Sequence, residues 1–344
     1  MAGMLDELTK MVTPDIVNQI GGALGMDPSQ VSKGLGAAAP AVLANLSHQA
    51  STPGGAEALL GSLTKTGTVG ADNPLGGLMS ALGGGGGDMI GGLLNAATGG
   101  SNDLVSSLLG QGVNAFSGSL SKNLGFDVKP MLMMAVPVVA GMVNKAIKGG
   151  NLDPTGLHKL LRSEVNDFEM NPANAETVKM VKSAVAASEK FTALRSTFTD
   201  AEWDQIKLAP VAALHLVASA SPSGFAGSSQ EIAAAAAALA EHAGYGDEVS
   251  VLRNAFADGL DARELEALQA RTPSREEVVG YLRNAATIIK AKAPAEAERF
   301  QTMLVAIATK TAEAAKEGGF LGFGGKIVTE EERNAIEMIR SAVA

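Results

Sequence analysis

The chain has 344 residues, enough for two domains of about 150 residues with a sizeable core in each. It contains no cysteine, which excludes disulfides, zinc–thiolate sites, iron–sulfur clusters and cysteine nucleophiles. A net charge of −9, from 27 basic and 36 acidic residues, disfavours a phosphate-binding surface, so no nucleic-acid partner is expected.

The start, Met1-Ala2-Gly3-Met4-Leu5-Asp6-Glu7, is acidic where a secretory signal carries positive charge, so a cytoplasmic location is expected. Thr13-Pro14-Asp15 and Asp27-Pro28-Ser29-Gln30 each place a capping oxygen before a proline at the first helical position. Residues 61–123 are rich in Gly, Ser, Leu and Ala and include the run 83–87, so they read as a glycine-rich insert. The short apolar stretches inside it must be covered by this chain, another copy or a lipid surface. The longest nearly uncharged apolar run, residues 130–143, has 14 positions with Pro137 in its middle, too short for a spanning helix and suited to a buried one.

Two copies of one helical unit are expected in the first domain. Leu24-Gly25-Met26-Asp27 recurs as Leu124-Gly125-Phe126-Asp127, and Ala39-Pro40-Ala41-Val42 is matched by Val136-Pro137-Val138-Val139. Gly55 through Leu60 is matched by Gly156 through Leu161. Each copy carries a proline inside its apolar run, which predicts a kinked or split helix. The second copy ends near Glu169, so the domains are set at 1–168 and 169–344.

The second domain is far more charged. Residues 1–150 hold 7 lysines, no arginine and 9 acids; residues 151–344 hold 20 basic and 27 acidic residues, with Arg162 the first arginine. Thr199/Glu202, Asp261/Glu264, Ser274/Glu277 and Thr329/Glu332 have capping-box spacing. Val211-Ala212 through Phe225 aligns with Val305-Ala306 through Phe320, a fainter duplication of helix, Gly–Phe loop and helix. Because strand-like alternation is missing, the fold class is all-α: two helical domains, each an internal duplication, with the glycine-rich segment inside the first.

Catalytic constellations are not found. Gly324-Gly325-Lys326 is followed by Ile327 and follows a helix, so it is no P-loop. His48, His158, His215 and His242 never recur at the spacing that puts two ligands on one helical face. His215, inside the apolar run 211–218, reads as a core or subunit-contact residue. Trp203, the single tryptophan, reads as a core anchor. No catalytic, cofactor-binding or metal residues are assigned, no cofactor is expected, and the chain is read as a non-enzyme.

From Ile20-Gly21-Gly22-Ala23-Leu24-Gly25, through residues 31–50, to the turn Ser51-Thr52-Pro53-Gly54-Gly55, the chain resembles the YidB-like family of uncharacterised bacterial proteins. The resemblance covers roughly residues 15–165. It implies a bacterial, all-helical, homeodomain-like arrangement without catalytic residues, and the sparse basic residues argue against DNA binding. The second domain more weakly resembles TerB-like helical domains, with Ser-Pro-Ser-Gly and Lys-Glu-Gly-Gly in its loops in place of an acidic metal-binding pattern.

The leading expectation is a structural or scaffold protein that forms homo-oligomers through its apolar first domain. Its Gly–Phe loops, with Phe225, Phe320 and Phe323, offer a surface to a protein partner. The alternatives are peripheral lipid binding, disfavoured by the missing Lys/Arg face, and carriage of an apolar small molecule in a cavity lined by Met131, Met133, Met134 and Met142.

Overall fold

The computed structural model describes residues 3–65, 108–220, 229–243, 247–257, 273–314 and 328–344. Among these residues every regular element is helical and none is a strand, so the all-α class holds. The chain divides into two compact units, Met1–Thr192 and Ala193–Ala344.

The first unit holds α1 (Met4–Met11), α2 (Pro14–Leu24), α3 (Pro28–Ser51), α4 (Gly55–Lys65), α5 (Val113–Leu124), α6 (Lys129–Gly150), α7 (Pro154–Met170) and most of α8 (Ala175–Arg195). The caps read from the sequence are formed. The Thr13 hydroxyl accepts from Ile16 N–H, and Asp27 with Gln30 makes a complete capping box at the start of α3. Gly25 and Gly125, the repeated glycines, end α2 and α5 in the left-handed conformation, with φ of 64° and 80°.

The interior prolines do not split their helices: α3 runs 24 residues through Pro40 and α6 runs 22 through Pro137. Burial on their core faces outweighs the one backbone bond each proline removes. Helix α3 packs against α6 and α7, α4 packs against α6 and α7, and α5 lies on α6. The last helix of each expected copy, α4 or α7, thus packs on the long helix of the other. Val181 and Ala184 of α8 join this core, which moves the division to 192/193 from the expected 168/169.

The expected insert also narrows. Residues 61–65 complete α4, and Leu108 and Leu109 are buried, with the Leu108 carbonyl accepting from Gln49 Nε2 at 2.5 Å. This end of the apolar segment is covered by its own chain; residues 66–107 lie outside the described residues.

The second unit is arranged around α9 (Asp200–Ala218), in which every residue from 209 to 218 is buried, as expected of a central helix. Around it stand α10 (Ser229–Ala243), α11 (Val251–Phe256), α12 (Arg275–Lys292), α13 (Ala297–Ala314) and α14 (Glu330–Val343). Capping boxes form at Thr199/Glu202, Ser274/Glu277 and Thr329/Glu332; the fourth expected box, at Asp261, lies outside the described residues. Here too packing is reciprocal: α9 contacts α13, α10 lies on α13, and α14 lies on α9.

Candidate functional site

Helix α1 is eight residues long, too short to cover the faces of α3 and α7 that it meets. Its Leu8 is buried and Leu5 half-buried, while Asp6, Glu7 and Lys10 are exposed. Its start is tied down by the Met4 N–H, which donates to Glu164 Oε2 of α7 at 2.7 Å. Burial pushes the Glu164 carboxyl above its ordinary range against the pull of that N–H, and the charges of Asp167, Asp6 and Glu7 add to the rise.

Beneath α1 lies a cavity of about 660 Å³. Leu5, Leu8 and Val12 roof it, Ile16 and Ile20 of α2 close one side, and Met134, Ala135 and Val138 of α6 form the floor. Its polar lining is Asp6, Lys10, Ser32, Asn171, Asn174 and Thr177. A hollow of this size that combines apolar walls with polar groups is a usual form of a small-molecule site.

Two glycines of α3 differ sharply in their surroundings. A Cβ on Gly34 would lie 2.2 Å from Met131 Sδ, so α3 is pressed against its neighbours there. A Cβ on Gly36 would meet nothing within 4 Å, and Gly36 lines the cavity. One turn on, Pro40 also lines it and has no N–H to give the Gly36 carbonyl.

Further along α3, from Ala44 to Ser51, lies an open groove of about 460 Å³. Its floor is apolar, with Ala44, Val165, Val181 and Val185, and its walls carry charge. His48 Nε2 lies 3.0 Å from Glu189 Oε1, and Lys182 Nζ lies 3.0 Å from Glu169 Oε2. His158 and Arg162, one turn apart on α7, complete the walls. Between cavity and groove is a void of only about 10 Å³, barely the room of one water, which shares Leu5, Pro40 and Phe168 with the cavity and Ala44, Val165, Glu169 and Val181 with the groove.

The structure thus brings two of the four histidines, His48 and His158, into one groove, although no spacing in the sequence joins them. His215 is 7% exposed in α9, and burial pushes its pKa down. Among the described residues no three His, Asp or Glu side chains converge to hold a metal ion. Of the four methionines expected to line a cavity, Met134 does so, whereas Met131 and Met142 are core residues because α3 and α5 pack over α6. Phe225, Phe320, Phe323 and the Gly324-Gly325-Lys326 stretch lie outside the described residues.

Trp203 is part of a latch at the start of α9. The buried Arg195 lies 4.7 Å from its ring, donates to the Phe198 carbonyl at 3.1 Å and pairs with Asp200 at 2.7 Å. Lys292 donates to the Thr197 carbonyl and to Glu202, and that bond, with the one from Thr199 N–H, pulls the Glu202 carboxyl down to about 2.

Helix α6 is long and apolar enough to cross a membrane by length and composition, and 67% of its most apolar stretch is buried in the first unit. That burial fits the core helix expected of residues 130–143.

Fold and site together define an all-α protein of two units whose first unit contains an apolar cavity and a charged groove. Residues 6–146 match the model of a family described as "Bacterial protein of unknown function (DUF937)". The matched span runs from α1 into α6 and supplies most of the cavity wall. No curated protein and no solved structure matches the chain.

Proposed function

We propose that this chain is a non-enzymatic binding protein whose first unit carries an apolar small molecule beneath α1. The observation that carries this reading is the cavity of about 660 Å³, lined by apolar side chains of α1, α2, α3 and α6 together with a smaller set of polar and charged ones. Its roof is one short helix, held by the buried Leu8 and by the Met4 bond to Glu164. The overlap of the family match with residues 15–165 supports reading the first unit as YidB-like.

The test is titration with N-phenyl-1-naphthylamine, a dye that brightens in apolar sites. The expected result is saturable binding to the full chain and its loss in Gly36→Phe, whose ring would enter the open space beside Gly36. Equal binding by wild type and Gly36→Phe would overturn the assignment to this cavity.

Self-association is the second reading, favoured by the reciprocal packing of α4 on α6 and α7 on α3. Each unit is then a duplicated helical element, and the contacts between copies can equally form between two chains, as in domain swapping. Light scattering on the full chain tests it: a defined oligomer supports it and a monomer at all concentrations removes it.

A further inference from the structure

We propose that the ligand is a long-chain carboxylate, with its tail in the cavity beneath α1 and its head in the groove that holds Arg162. The proposal rests on the cavity reading above and adds the chemistry of the ligand.

The first observation is one stripe of α3. Gly36 and Pro40 line the cavity, Pro40 and Ala44 line the narrow void, and Ala44 and His48 line the groove. These four residues succeed one another at one-turn intervals, so a single wall runs through all three spaces. Twelve residues at the helical rise give a path of roughly 18 Å. An extended acyl chain of the length of tetradecanoate spans it; a head group without a tail does not.

The second observation is charge. The first unit is poor in cations, and its first arginine, Arg162, stands in this groove. Lys182 is paired with Glu169 and His48 with Glu189, whereas Arg162 makes no hydrogen bond or ion pair among the described residues. The free guanidinium can hold a carboxylate by two parallel N–H···O bonds. Glu169 and Glu189 oppose an anion, but Glu169 is already paired with Lys182 and Glu189 with His48. The apolar floor below them suits the upper part of an acyl chain.

The narrow void must widen for such a ligand to pass. Its walls include Leu5 of α1 and Phe168 at the end of α7, so lifting α1 opens cavity and void together.

The experiment is displacement of N-phenyl-1-naphthylamine from the full chain by tetradecanoate, tetradecanol and hexanoate, repeated with Arg162→Gln and Arg162→Lys. The expected result is displacement by tetradecanoate at about tenfold lower concentration than by tetradecanol, the factor of one charge-assisted hydrogen bond. Hexanoate is expected to displace poorly. Arg162→Gln should abolish the advantage without changing tetradecanol, and Arg162→Lys should keep part of it. Equal displacement by acid and alcohol, or an advantage untouched in Arg162→Gln, overturns the head-group assignment and leaves the cavity reading standing. Failure of the dye itself to bind overturns the cavity reading.

Discussion

In the first unit two close approaches between elements run through glycine, at Gly34 against Met131 and at Gly112, where a Cβ would sit 2.2 Å from Ser188 Oγ. In the second, helices are fixed by side chains that carry charge: Arg195 and Lys292 around Trp203 and Phe198, and Glu296, whose carboxylate accepts from the Ser250 hydroxyl and from the N–H groups of Val251 and Leu252. The difference follows from composition, because the first 150 residues hold few charges with which to build such latches. At Gly36, by contrast, an added Cβ would meet nothing, and this exposed glycine lines the cavity. A unit joined by latches at its helix ends keeps its central helix, α9, buried from 209 to 218.

The contrast can be broken most strongly in the second unit's core. Phe300→Ala removes a fully buried ring and is expected to cost about 3–5 kcal/mol. Trp203 and both tyrosines, Tyr245 and Tyr281, lie in residues 193–344, so tryptophan fluorescence during urea unfolding reads this unit selectively. Gly112→Ala should cost the first unit about 1–3 kcal/mol, because the new methyl meets the Ser188 backbone as well as its hydroxyl. Circular dichroism should register that loss while the Trp203 signal keeps its midpoint. Thr199→Ala deletes one half of a capping box and is expected to cost about 1 kcal/mol, visible in the tryptophan transition.

Acid sharpens the same comparison through two glutamates. Glu202 is held down to about 2 from an ordinary 4.5, so it stabilises the second unit above pH 4.5 and loses that contribution as pH falls toward 2. Lys292→Met should remove most of this dependence from the tryptophan-detected midpoint. Glu164 goes the other way. Its raised pKa means that the ionised carboxylate weakens the first unit, and stability is regained as pH falls through the raised value toward the ordinary one. Glu164→Gln keeps an acceptor for the Met4 N–H and removes the repulsion with Asp6, Glu7 and Asp167. Its expected effect is the smallest: a slight gain at neutral pH and a flatter profile by circular dichroism.

Much of the fold was legible in the sequence, since capping is local. Three of the four capping boxes read in the second half lie among the described residues and all three form, as does the box at Asp27/Gln30. The left-handed conformation of Gly25 and Gly125 was not read from the sequence, although both stand in the matched Leu-Gly-x-Asp stretches. The division at Thr192 was not legible, because it depends on Val181 and Ala184 packing into a core whose other residues are far away in sequence. The candidate site was the least legible part. Gly34 and Gly36 read alike as letters, yet one is pressed on Met131 and the other faces open space. The tie that docks α1 joins residues 160 positions apart, and the groove is assembled from α3, α7 and α8. Arg162 stood out as the first arginine, but nothing local linked it to His48 or Lys182.

The most direct test of the central claim is a methyl spectrum of the full chain labelled at the methionine Cε positions, recorded while tetradecanoate is added. Met134 lines the cavity, whereas Met303 is buried in the second unit's core. The Met134 resonance, assigned through Met134→Leu, is expected to shift and saturate while that of Met303 stays in place. Saturation with Met134 unmoved, or shifts confined to the exposed Met170, would contradict it.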